Sequence, residues 1–161
     1  SRVRMQGVTA NYKQALTFLP HWARGVQVFG NLSSQRALGE ATANFAGFIP
    51  RSASWGASLT RERVTVHLNW NHRSRARRGA VAAGNSIEPG TYQWGNTRRV
   101  TDLIVEYRLQ KRVAVFANLR NLTHTYDELE IAGPGTPVVA RLRQDVADFG
   151  SLWTMGVKGT F

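Results

Sequence analysis

Apolar and polar residues alternate along most of this chain with a period of two, the signature of β-strands with unlike faces. From Phe149 to Phe161 one face carries Phe149, Ser151, Trp153, Met155, Val157, Gly159 and Phe161. The other carries Gly150, Leu152, Thr154, Gly156, Lys158 and Thr160. The same alternation sets Leu103, Val105, Tyr107 and Leu109 against Asp102, Glu106 and Arg108, with Ile104 on the polar side. Val64, Val66, Leu68 and Trp70 oppose Thr65, His67, Asn69 and Asn71, and Ala53, Trp55, Ala57 and Leu59 oppose Ser, Gly and Thr. Val113, Val115, Ala117 and Leu119 oppose Ala114, Phe116, Asn118 and Arg120. Segments 3–18 and 26–34 are less regular but strand-like. The pattern predicts about seven strands, near the roughly 9–11 residues that a tilted membrane strand requires.

The connections alternate in length. Thr60 to Arg63 and Leu109 to Arg112 are tight turns, whereas Arg78 to Arg98 and Asp127 to Asp148 are long and rich in Gly and Pro. Short turns on one side and long loops on the other match bacterial outer-membrane barrels, whose short side is periplasmic. The fold expected is all-β, an antiparallel transmembrane β-barrel segment of about seven strands with short periplasmic turns and long extracellular loops. Phe161 then lies at the periplasmic rim. A soluble β-sandwich also alternates, but it needs a second apolar surface to cover the first, and none is evident.

Composition narrows the alternatives. Hydrophobic residues are 42% and charged residues 19%, which excludes a disordered chain. No apolar run reaches the roughly 18 residues of a spanning helix, so a membrane location requires strands. Cysteine is absent, removing disulfides and thiol chemistry. The start, Ser1-Arg2-Val3-Arg4, lacks a signal-peptide pattern and points to a trimmed or partial chain. The net charge of +11, from 21 Lys and Arg against 10 Asp and Glu, raises anionic partners.

Several motifs together resemble the C-terminal portion of TonB-dependent outer-membrane receptors. Val113 to Thr123, with its Asn121-Leu122 pair, resembles that family's penultimate strand, and Thr154 to Phe161 its terminal strand. Leu19-Pro20 followed by Gly25 to Asn31 resembles a periplasmic turn and the strand after it. The resemblance spans residues 1–161 as the C-terminal portion of a barrel, with plug and earlier strands absent. It implies a barrel of about 22 strands closed by a plug. Such a barrel takes up a scarce siderophore, cobalamin or glycan by a process driven through TonB, without cofactor or covalent catalysis. It also implies that Phe161, Val157, Met155 and Trp153 act as a barrel-assembly signal. A small self-contained barrel is one alternative, and a soluble basic nucleic-acid-binding β protein a second.

The chemistry-bearing residues fit this frame. Arg73, Arg75, Arg77 and Arg78 fall just past a membrane strand on the long-loop side, placed to contact lipopolysaccharide phosphates as bidentate donors. Tyr92 and Trp94, in a long loop, are the candidates for ligand contact. Nucleic acid is not an expected partner, because no stacking platform is evident beside the arginines. His21, His67, His72 and His124 share no metal-ligand spacing. Asp102 and Glu106 are expected to pair with Arg108 or Arg120 rather than to form a catalytic carboxylate pair. Trp55, Trp70, Tyr107, Trp153 and Phe161 are expected at the membrane interfaces.

Overall fold

The computed structural model describes residues 3–39, 47–84 and 86–159; Phe161 lies outside them. Each alternating segment forms a strand. They are β1 (Val3–Ala15), β2 (Val26–Gly39), β3 (Arg51–Thr60), β4 (Val64–Arg73), β7 (Arg98–Gln110), β8 (Val113–Arg120) and β11 (Leu152–Gly159). These seven pair antiparallel in the order β1-β2-β3-β4-β7-β8-β11, an up-and-down meander open at β1 and β11. No helix long and apolar enough to cross a membrane occurs among the described residues.

The register turns local alternation into two continuous faces. Val28, Ala57, Leu68, Leu103, Leu119 and Trp153 stand side by side across six strands. Val26, Leu59, Val66, Val105, Ala117 and Met155 form the row below. On the reverse, Gln27, Ser58, His67, Ile104, Asn118 and Thr154 make the matching polar row.

The two long connections are not irregular loops, as their Gly and Pro content leads one to expect. The first contains β5 (Ala76–Ala80) and β6 (Tyr92–Gly95); the second contains β9 (Asp127–Ala132) and β10 (Leu142–Ala147). They join as a four-stranded antiparallel sheet, β10-β9-β6-β5. The sheet exists because β6 pairs with β9, so neither connection forms it alone. A second fastening lies beyond the strands, where the Gly135 amide donates to Glu88 Oε1 at 3.0 Å. All substantial strand–strand contacts among the described residues are between hydrogen-bonded neighbours within a sheet. The two sheets are therefore not stacked, which removes the β-sandwich.

The last strand also begins later than its alternation implies. Gly150 adopts φ +62° and its amide donates to Asp148 Oδ1 at 2.9 Å. That turn takes Phe149 out of the apolar row.

Glycine permits two close approaches on the polar face. Phe29 pairs directly with Gly56, and Phe116 with Gly156, each ring lying over the bare Cα of its partner. A Cβ on Gly56 would sit 2.3 Å from the Leu68 carbonyl oxygen and 2.7 Å from the Phe29 ring. Gly56→Ala is expected to cost about 1–3 kcal/mol, the usual range for overpacking, because one of the two obstacles is backbone. Denaturant titration of the folded protein checks this. A loss no greater than that of an exposed strand substitution, Ser34→Ala, would show that the close approach is not restrictive.

Candidate functional site

Two features could carry function: the faces of the seven-stranded sheet and the layer of charged and aromatic residues on the four-stranded one. The apolar face is uncovered. Trp153, Met155 and Val157 are 61%, 66% and 68% exposed. The buried hydrophobic residues among those described are four alanines, Ala23, Ala76, Ala114 and Ala132. Of these, only Ala114 lies in the large sheet, on its polar side. The accessible surface is 11545 Å², against about 8,000 Å² for a folded water-soluble monomer of 17.9 kDa.

Aromatic residues lie on this same face. Trp55 pairs with Trp70 directly across β3 and β4, and Tyr107 with Val115 across β7 and β8. On the polar face, Asp102 and Glu106 find partners other than the arginines expected. Asp102 Oδ1 accepts the Asn121 amide at 2.9 Å, and Glu106 forms an ion pair with Lys158 on β11. Spacing along one strand could not show this, because both partners arrive from other segments. At the short-turn end, Arg61 donates to the carbonyls of His21 and Arg24. It therefore ties two neighbouring turns together.

On the four-stranded sheet, the arginine tract and the aromatic pair, read separately in the sequence, come together. The Arg75 guanidinium lies 4.5 Å from the Trp94 ring centre, and Arg77 lies 4.5 Å from that of Tyr92. Arg75 also donates to Glu130 Oε2 at 3.0 Å, and Arg141 approaches the same carboxylate at 3.8 Å. Buried Glu128 pairs with Arg143. Burial, and then the Arg141 charge, lower the Arg75 pKa against the opposing pull of Glu130; the guanidinium stays charged near neutrality. An aromatic layer does accompany the arginines, contrary to expectation, but its ring faces are already occupied by guanidinium. Arg73 ends β4 and is exposed, and Arg78 is exposed on the opposite side of β5 from Arg77. The four arginines thus do not form one cluster.

Sequence spacing alone does not mark Glu128, Glu130, Arg141 and Arg143 as a group. The signal was present in Asp127-Glu128-Leu129-Glu130-Ile131, which alternates like a strand inside what reads as a loop. Asn121 was noted only as part of a pair, yet it is a hub. At φ 55°, its side-chain amide donates to the carbonyls of Thr125 (3.0 Å) and Gly150 (2.9 Å), while its Oδ1 accepts the Thr125 amide at 2.9 Å. Its own carbonyl accepts the Ser151 hydroxyl at 2.7 Å. A hydrogen bond between His124 Nε2 and Asp148 Oδ2, 2.9 Å long and exposed, joins the same two segments. The Gly150 amide, and then the His124 hydrogen bond, hold the Asp148 carboxyl below the usual range. Among the described residues no group of His, Asp and Glu is arranged to hold a metal ion.

Comparison of the chain with protein-family models, with curated proteins and with solved structures finds no match.

Proposed function

We propose that this chain forms part of an outer-membrane β-barrel in a Gram-negative bacterium, with the apolar face against lipid and the polar face toward the lumen. The observation that carries this reading is the uncovered apolar face, continuous through six strands of a sheet whose reverse is polar. In water such a face would be covered by a second layer. In a bilayer it is the surface that lipid requires. The open edges of β1 and β11 agree, since unpaired strand edges are not tolerated in hydrocarbon and demand further strands. The reading places the four-stranded sheet outside the membrane, on the long-connection side.

Within that reading the barrel serves an uptake receptor of the TonB-dependent type, which carries a scarce ligand of the siderophore, cobalamin or glycan class without covalent chemistry. Support comes from the order of the three motifs and from the role of Asn121, which gives the Asn-Leu pair a structural reason. The partners are outer-membrane lipid, lipopolysaccharide, the rest of the barrel with its plug, and TonB through that part. Arg73, being exposed and without an ion-pair partner among the described residues, is better placed for lipopolysaccharide phosphates than Arg75, which is committed to Glu130. Nucleic acid is not part of this reading, because a stacked arginine takes one face of each ring that bases would use.

Single-tryptophan versions of the protein in vesicles of brominated lipid test the reading. Trp55, Trp70 and Trp153 are expected to be strongly quenched, and Trp94 weakly. Recovery of the folded protein in the soluble fraction without detergent, or equal quenching at all four positions, would overturn it.

A further inference from the structure

The face of the four-stranded sheet opposite the arginine–aromatic layer bears an open cavity of about 320 Å³, at the lower end of the range for small-ligand pockets. Its lining combines three chemistries. Leu129, Ala147 and Phe149 supply an apolar wall, and Phe149 is 78% exposed at its margin. Gln93 supplies an amide. Arg78, Asp127 and Asp145 supply charge. Asp127 is already paired with Arg98 at 3.2 Å. Arg78 and Asp145 take no part in the ion pairs among the described residues. One cationic and one anionic side chain outside these ion pairs thus line the cavity, beside its apolar wall, the Gln93 amide and the paired Asp127.

This lining discriminates between ligand classes. A simple anion would satisfy Arg78 but meet the field of Asp145, and a simple cation would meet the reverse. A neutral apolar molecule would desolvate both charges without replacing their hydrogen bonds. A carboxylate and an ammonium on one small molecule satisfy both together, with charge-assisted hydrogen bonds at each end. We propose that this cavity binds a small zwitterion carrying an apolar side chain, the chemistry of a free apolar α-amino acid. Its carboxylate meets Arg78, its ammonium meets Asp145, and its side chain packs against Leu129, Ala147 and Phe149. The cavity is built by both long connections together, since Arg78 and Gln93 come from the first and Asp127, Leu129, Asp145, Ala147 and Phe149 from the second. Binding would therefore couple the two. The placement of this site outside the cell rests on the barrel reading; binding itself does not.

Isothermal titration calorimetry of the folded protein in detergent, with L-phenylalanine as the probe, tests the proposal. Saturable binding is expected. 2-Phenylethylamine, which lacks the carboxylate, and 3-phenylpropanoate, which lacks the ammonium, are each expected to bind about tenfold or more weakly. Arg78→Gln and Asp145→Asn should each weaken L-phenylalanine binding by a similar factor, with the β-sheet circular dichroism unchanged. Arg78→Gln should leave the affinity for 2-phenylethylamine nearly unaltered, an effect that general loss of structure could not produce. No saturable binding by protein with an intact β spectrum would overturn the proposal, as would equal binding of the three compounds. Failure of the barrel reading appears separately, as lost lipid quenching with binding intact.

Discussion

Leu68→Arg is expected to destabilise the membrane-inserted protein by about 2–4 kcal/mol, while Asn69→Arg, one residue away, costs much less. Leu68 lies midway along β4, flanked on its face by Ala57 and Leu103. Asn69 points the other way, between Gly56 and Asp102. In a bilayer the first substitution puts a guanidinium into hydrocarbon near the midplane. The second adds a cation to a polar face beside an existing carboxylate. The contrast separates environments because strand, depth and introduced side chain are nearly the same. Unfolding titrations in vesicles give the two values directly. Equal small costs would mean that the apolar face meets water or a polar partner.

Asn121→Ala should produce the other large effect, a loss of about 2–4 kcal/mol at roughly 0.5–1.5 kcal/mol for each of three side-chain hydrogen bonds. Those bonds tie the end of β8 to the approach of β11 through Thr125 and Gly150. Alanine also fits poorly at φ 55°, a conformation that asparagine tolerates. Asn121→Gly separates the terms: it keeps the backbone freedom and loses the side-chain bonds. Asn121→Asp keeps the acceptor for the Thr125 amide but loses the donor to the Thr125 and Gly150 carbonyls. The expected order of stability is Asn, then Asp or Gly, then Ala. If Ala matches wild type, the hub is not fastening these segments.

The alternation made the seven-stranded sheet legible because each strand carries its own record of two environments. Leu68 and Asn69 differ in type because they face different ways, and that difference needs no partner to be read. The long connections hid their strands for the opposite reason. Tyr92–Gly95 is four residues and Asp127–Ala132 six, too short for a strong periodic signal, and each strand forms only because the other is beside it. Phe149 shows the limit of alternation at strand ends. By parity it belongs with Trp153, but the Gly150 turn moves it to the cavity.

The candidate site divides in the same way. That arginines, tyrosine and tryptophan are present near the long connections is plain from the chain. That Arg75 stacks on Trp94 and shares Glu130, 55 residues away, with Arg141 is decided by the pairing of β5 with β6 and of β6 with β9. Likewise Asp102 and Glu106 are legible as polar-face carboxylates, but their partners, Asn121 and Lys158, come from β8's turn and from β11. By itself, the sequence determined the strands, their two faces and the side on which long connections lie, because side-chain direction in a strand follows position. Only the tertiary structure decided the second sheet, the Asn121 hub and the cavity that Arg78 and Asp145 line. Each of these depends on which distant strands share hydrogen bonds, and chain-local periodicity carries no information about that.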